Sequence, residues 1–188
     1  MRSLLGMAVF CALAGAMVSA EDRVPATNSK SPEDVRFPDL TFTNLEKRTL
    51  SMPHDFEGER NLLLIAFQRE QQDEVDTWLR EMKRFEEMDP GFRYYELPII
   101  EKLNGLTRWF INRGMRRGIP DKKARERTIT LYLDKSAFRQ SLALRDEKRI
   151  YAVLVDRSGR VLWRAEGTFD EAKAASLKES LQRQPGNH

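Results

Sequence analysis

Apolar and polar positions change rhythm several times along the chain, and each change marks an expected element. Residues 37–42 and 48–52 alternate loosely on either side of Asn44 to Lys47, the pattern of a β-hairpin. Residues 61–67, Asn-Leu-Leu-Leu-Ile-Ala-Phe, form an unbroken apolar run after the turn Glu57-Gly58-Glu59-Arg60, which predicts a strand buried on both faces of a sheet. Over 71–88 the period lengthens. Val75, Trp78, Leu79, Met82 and Phe85 recur every three or four residues, one apolar stripe of a helix that Asp89-Pro90-Gly91 stops. A second strand spans 92–97 and ends at Pro98. Residues 99–118 read as a helix interrupted by Gly105, Gly114 and Gly118, with a loop at Pro120-Asp121.

A third strand is expected at 128–133, then a short helix through Leu144 capped by Asp134 or Ser136. Strands at 150–155 and 160–165 are joined by the tight turn Asp156-Arg157-Ser158-Gly159, and a helix over 170–181 turns Ala174, Leu177 and Leu181 inward. Trp163, Tyr132 and Tyr151 fit sheet-face packing. Strands alternating with helices imply a sheet covered on both faces, an α/β three-layer sandwich with an N-terminal β-hairpin.

The ends read differently. Arg2 precedes the uncharged apolar stretch Leu4 to Met17, and Val18-Ser19-Ala20 then places small residues before Glu21-Asp22, the pattern of a secretory signal peptide over 1–20. The apolar stretch is shorter than the ~20 residues a spanning helix needs. The expected product is periplasmic or secreted, with a flexible linker at 21–36, one domain over 37–182 and a disordered tail at 183–188.

Composition sharpens this picture in two places. The chain of 188 residues has one cysteine, Cys11, and it falls inside the expected signal peptide. A mature chain would have no disulfide, no thiol nucleophile and no cysteine-ligated metal. Charge is nearly balanced, at a formal +3, but unevenly spread: residues 70–89 hold eight acids against three bases, and residues 108–127 hold eight bases against two acids. The total gives no argument for nucleic acid, whereas the separation suggests a bipolar molecule. Histidines occur only at 54 and 188, so a metal site or Ser-His-Asp triad lacks material, and no phosphate-cradling glycine motif is present. His54-Asp55 beside Glu57 is the nearest thing to a ligand set. No cofactor is expected.

The hairpin, Phe56-Glu57-Gly58 and the strand to Phe67 resemble the entry segment of the thioredoxin-like fold in its peroxiredoxin and thiol-disulfide-interchange branches. The segment Tyr151 to Gly167 is similar to that fold's final strand pair. The resemblance implies redox cysteines after the buried strand and a cis-proline before the penultimate strand. Here Gln68-Arg69-Glu70-Gln71-Gln72 and Lys148-Arg149 stand in those places. A second resemblance is to the mitochondrial ATP synthase assembly-factor family, carried by residues 125–142 and by Leu154-Val155-Asp156, Gly159, Val161 and Trp163. It implies a chaperone for a membrane subunit.

Two candidate sites follow. Trp109, Arg113, Met115, Arg116 and Arg117 interleave arginines with apolar residues, a mixture able to hold carboxylates, phosphates or lipid headgroups. Gly114 and Gly118 would allow close backbone approach or positive φ. The competing reading packs Trp109, Phe110 and Met115 inward and leaves the arginines to solvent or to the acidic helix. Gln68, Gln71 and Gln72, at the vacated redox position, could donate to a ligand at a helix N-terminus. The combined expectation is a non-catalytic binding or chaperone-like protein, an assembly factor for an envelope or membrane complex. Its partner would be an acidic protein or a membrane subunit, with peripheral membrane contact as a further option. The alternative is a redox-pathway helper or oxidoreductase-like protein using a partner's cysteines.

Overall fold

The computed structural model describes residues 35–183, so the expected signal peptide, most of the linker and the last five residues lie outside the described residues. The element order is β1 (Leu40–Thr43), β2 (Thr49–Met52), β3 (Arg60–Ala66), α1 (Gln72–Met88), β4 (Phe92–Glu101), α2 (Gly105–Gly118), α3 (Lys122–Arg127), β5 (Leu131–Leu133), α4 (Lys135–Ser141), β6 (Tyr151–Asp156), β7 (Val161–Glu166) and α5 (Glu171–Gln182). A single 3-10 turn, Arg69–Gln71, leads into α1.

The main sheet has the order β5-β4-β3-β6-β7. β3, β4 and β5 run parallel, β6 is antiparallel to β3, and β7 is antiparallel to β6. The apolar run of β3 is explained by its place: flanked by β4 and β6, it buries Leu62 and Leu64 on one face and Leu63 and Ile65 on the other. On the first face α1 contributes Val75, Trp78, Met82 and Phe85, and α5 contributes Leu177 and Leu181. On the second face the cover is α4, through Phe138, together with Phe37, Leu50, Met52 and Phe56 in and around the β1–β2 hairpin. The architecture is therefore the expected three-layer α/β sandwich, with a hairpin sharing one outer layer.

Trp78 anchors the helical face. It is fully buried, donates its indole N–H to the Gly167 carbonyl at 2.9 Å, and meets Phe169 edge-on at 5.1 Å between ring centres. Gly167 has φ +78°, and a side chain there would meet the Arg149 guanidinium. Gly159 closes the β6–β7 turn at φ +80°, as the turn chemistry predicts. Asn61, the one polar residue in the buried run, is satisfied within its own turn: its amide nitrogen donates to the Gly58 carbonyl at 2.9 Å and its oxygen accepts from the Gly58 N–H at 3.0 Å.

Four expectations change. The fold takes in Val35, buried in the core, and Arg36, which bridges to Arg160, so the linker expected to reach residue 36 is engaged earlier. β4 continues through Pro98 to Glu101. Pro98 is tolerated because pairing changes there, from β3 up to Pro98 to β5 from Ile99 onward. Residues 99–101 are thus strand, and the helix begins at Gly105, where the Asn104 side chain caps it by accepting from Thr107 N at 2.9 Å. The loop expected after Pro120 instead contains α3, capped by Asp121.

Candidate functional site

The vacated redox position is closed by its own hydrogen bonds. The Gln71 side chain is buried; its oxygen accepts from Phe67 N at 2.8 Å and Gln68 N at 3.2 Å, and its nitrogen donates to the Glu147 carbonyl at 2.7 Å. Gln68 donates to that same carbonyl at 3.2 Å. Lys135 fastens the far side, donating to the Phe67 carbonyl at 2.8 Å and facing the Glu147 carboxylate at 3.4 Å. Gln72 points away to Asp76, 2.9 Å off. Of the three glutamines, two converge and one diverges. The donors that could have held a ligand already hold the segment before β6.

α2 is mounted the other way round from an ordinary surface helix. At about 100° per residue, Leu106, Trp109, Phe110, Arg113 and Arg117 share one face. That face is turned to solvent: Leu106 is 69% exposed, Phe110 60% and Trp109 50%. Trp109 and Phe110 meet edge-on at 4.9 Å, and the Arg113 guanidinium lies over the Trp109 ring at 5.1 Å. The opposite, polar face holds the helix to the body. Arg108 stacks on Tyr132 at 4.7 Å, Asn112 accepts from the Tyr132 hydroxyl at 2.8 Å, and the Met115 sulfur accepts from Thr130 at 3.5 Å. Arg116 donates to the Leu45 carbonyl at 2.6 Å. No residue of α2 is buried.

The five residues expected to form one basic-aromatic surface are therefore divided. Trp109, Arg113 and Arg117 share the outward face, while Met115 and Arg116 turn to the body. Leu106 and Phe110 complete the outward face; the sequence places Phe110 in the basic-aromatic stretch without marking it as a site residue, and Leu106 lies outside that stretch. Their signal was the spacing 106, 109, 110, 113, but an apolar stripe is ordinarily assigned to the core. The inward packing of Trp109 and Phe110 is overturned for the same reason. Gly114 and Gly118 have neither of the expected uses. Neither is among the positive-φ glycines, and nothing lies within 4 Å of where a side chain would project.

The remaining bases of 108–127 are largely neutralised. Arg127 pairs with Glu86 of α1 and stacks over Tyr94 at 4.3 Å, and Arg125 pairs with Glu46. The hydrogen bond from Arg125 holds the Glu46 carboxyl below its ordinary value. Glu46, Glu86 and Arg127 border an open cleft of about 700 Å³ whose lining alternates in charge, including Arg48 paired with Glu57 at 3.0 Å and Lys122 with Glu126 at 3.6 Å. The cleft has no dominant sign to select a ligand.

One buried acid escaped the sequence reading. Glu96, on β4, faces Asp76 of α1 and Thr128. Burial, reinforced by the nearby Asp76 charge, pushes its carboxyl up to about 7, against hydrogen bonds from Thr128 and Gln72. It does not line the cleft. Among the described residues no three metal-ligating side chains are grouped, and no helix is long and apolar enough to cross a membrane. The set at His54 is dispersed: Asp55 accepts from Ser51 N at 2.7 Å, and Glu57 is taken by Arg48.

Fold and connectivity define the class: this is a thioredoxin-like domain. Similar solved structures include the thioredoxin domain of a thiol-disulfide oxidoreductase from Bacteroides vulgatus, at TM-score 0.51 and 17% identity over 78% of this chain and 96% of that one. BsSco, a member of the Sco family of cytochrome c oxidase assembly proteins, superposes at TM-score 0.55 with 13% identity over 80% of this chain and 95% of that one. The exposed lipoprotein thioredoxin of Streptococcus pneumoniae gives TM-score 0.51 and 11% identity over 76% and 99%. At these identities the likeness is one of fold. No curated protein matches the sequence. Residues 25–183 match the family described as ATP10 protein, and the chain belongs to that family.

Proposed function

We propose that the protein is a non-catalytic assembly factor for a membrane complex, ATP synthase being the first candidate, acting after export to the periplasm or beyond. Family membership supports the assembly role. The loss of redox function is supported by the site where this fold would carry it: after β3, Gln68 and Gln71 are engaged with the Glu147 carbonyl, and the chain's single thiol is Cys11. The observation that carries the reading is the outward face of α2, where Leu106, Trp109 and Phe110 stand exposed beside Arg113 and Arg117. Exposed apolar groups clustered on one ridge mark an interaction surface.

The test is genetic and biochemical. In cells lacking the protein, assembled ATP synthase on native gels should fall while its separate subunits are still made, and the wild-type gene should restore it. Normal assembly in the deletion strain would contradict the proposal. Purified protein should also leave insulin disulfides and peroxide untouched when no thiol protein is added; turnover would instead favour the redox alternative.

A further inference from the structure

We infer that the outward face of α2 seats the protein on an anionic phospholipid surface, with Leu106, Trp109 and Phe110 entering the headgroup layer and Arg113 and Arg117 binding lipid phosphates. This deepens the reading above, since it rests on the same face and names what that face touches. Three observations favour lipid over a protein groove.

The first is composition. α2 carries four arginines and no acid from Gly105 to Gly118. Two of them, Arg108 and Arg116, are engaged with the body. Arg113 and Arg117 lie on the exposed face; Arg113 stacks on Trp109, and Arg117 has no hydrogen bond or ion pair among the described residues. Tryptophan, phenylalanine and leucine next to guanidinium groups are the residues that favour the bilayer boundary, where an aromatic body meets apolar chains and a planar fork meets phosphate. Acids flank rather than interrupt the face: Glu101 precedes the helix, and the Asp121 carboxylate that follows caps α3.

The second is size. Three side chains between 50% and 69% exposed offer less than the ~800 Å² per partner of a stable protein interface. They suffice for shallow insertion supported by charge. The third is position. β5 is an edge strand of the sheet, and α2 is tied to it through Tyr132 and Thr130, so the ridge stands at the side of the molecule where a flat surface can reach it.

The experiment uses the full chain with phosphatidylcholine vesicles, with and without phosphatidylglycerol, whose acyl chains carry bromine. Residues 1–20 could bind vesicles by themselves, so the readout is fluorescence at Trp109 rather than sedimentation. Trp78 is fully buried, whereas Trp163, bonded to Ser176, is only partly buried, so the quenching assigned to α2 is the part lost in Trp109→Phe. Emission should shift blue and be quenched only when phosphatidylglycerol is present. Trp109→Phe should remove the quenching, and R113E/R117E should weaken binding at least about tenfold. Unchanged emission with anionic vesicles, or quenching that survives Trp109→Phe, would overturn the inference. Two combined results separate it from the assembly reading. If L106S/F110S abolishes complex assembly in cells while vesicles leave Trp109 unaffected, the face docks on protein and the lipid inference is wrong. If vesicles quench Trp109 but assembly proceeds without the protein, the lipid inference stands and the assembly role falls.

Discussion

α1 and α2 are both amphipathic, and they are mounted in opposite senses. α1 carries its apolar stripe inward, where Val75, Trp78, Met82 and Phe85 are buried. α2 attaches through Arg108, Asn112, Met115 and Arg116 and turns Leu106, Trp109 and Phe110 outward. The first arrangement is what folding alone favours, since apolar surface removed from water contributes about 25 cal/mol per Å². The second forgoes that gain. On the function proposed above, the face that forgoes it is a surface to be covered later.

The comparison can be broken most sharply with two tryptophans. Trp78→Ala should destabilise the fold by about 3–5 kcal/mol, the usual cost of deleting a buried aromatic. Trp109→Ala should change stability by about 0.5 kcal/mol or less. Denaturant unfolding followed by circular dichroism measures both, and comparable losses would show that α2 belongs to the core after all.

A second difference lies beneath α1. Glu96 titrates at about 7 in the fold against an ordinary value of 4.5, so between those values the folded chain binds more protons than the unfolded one. Its contribution is fully present below the ordinary value and is lost as pH rises through about 7, a loss of up to about 3 kcal/mol. Glu96→Gln should flatten that dependence, which unfolding at a series of pH values would reveal. An identical slope in the variant would mean that Glu96 is hydrated and ordinary.

The smallest effect runs the other way. Gly114 lies inside α2 with open space around it, so Gly114→Ala should stabilise the fold by about 0.5–1 kcal/mol. A loss of stability, read from the thermal midpoint, would place an unseen contact there.

The layered fold was legible because its signals are local. β3 is a continuous apolar run, α1 repeats at helical spacing, and Asp156 to Gly159 has the chemistry of a turn. The helix caps at Asp134 and Asp170 stand where polar residues precede apolar stripes. Pro98 misled because a proline's effect depends on which neighbour its strand pairs with at that point, a non-local fact. α3 was missed because a highly charged six-residue helix has no apolar stripe to announce it. The basic-aromatic segment was recognised, but its orientation was not. A helical wheel says which residues share a face and leaves open which face meets the protein, and here Tyr132, Thr130 and the Leu45 carbonyl decide it. The glutamines after β3 are legible as standing where the resemblance implies redox cysteines; that Gln68 and Gln71 bind the Glu147 carbonyl depends on a segment over seventy residues away.

The central claim is that the outward face of α2 serves function and not folding. It is tested most directly by replacing the chromosomal gene with one encoding L106S/W109S/F110S and measuring assembled ATP synthase on native gels, alongside the abundance and melting temperature of the variant. The account predicts wild-type abundance and melting with assembly reduced to the level of the deletion strain. Normal assembly by a well-folded variant would contradict it.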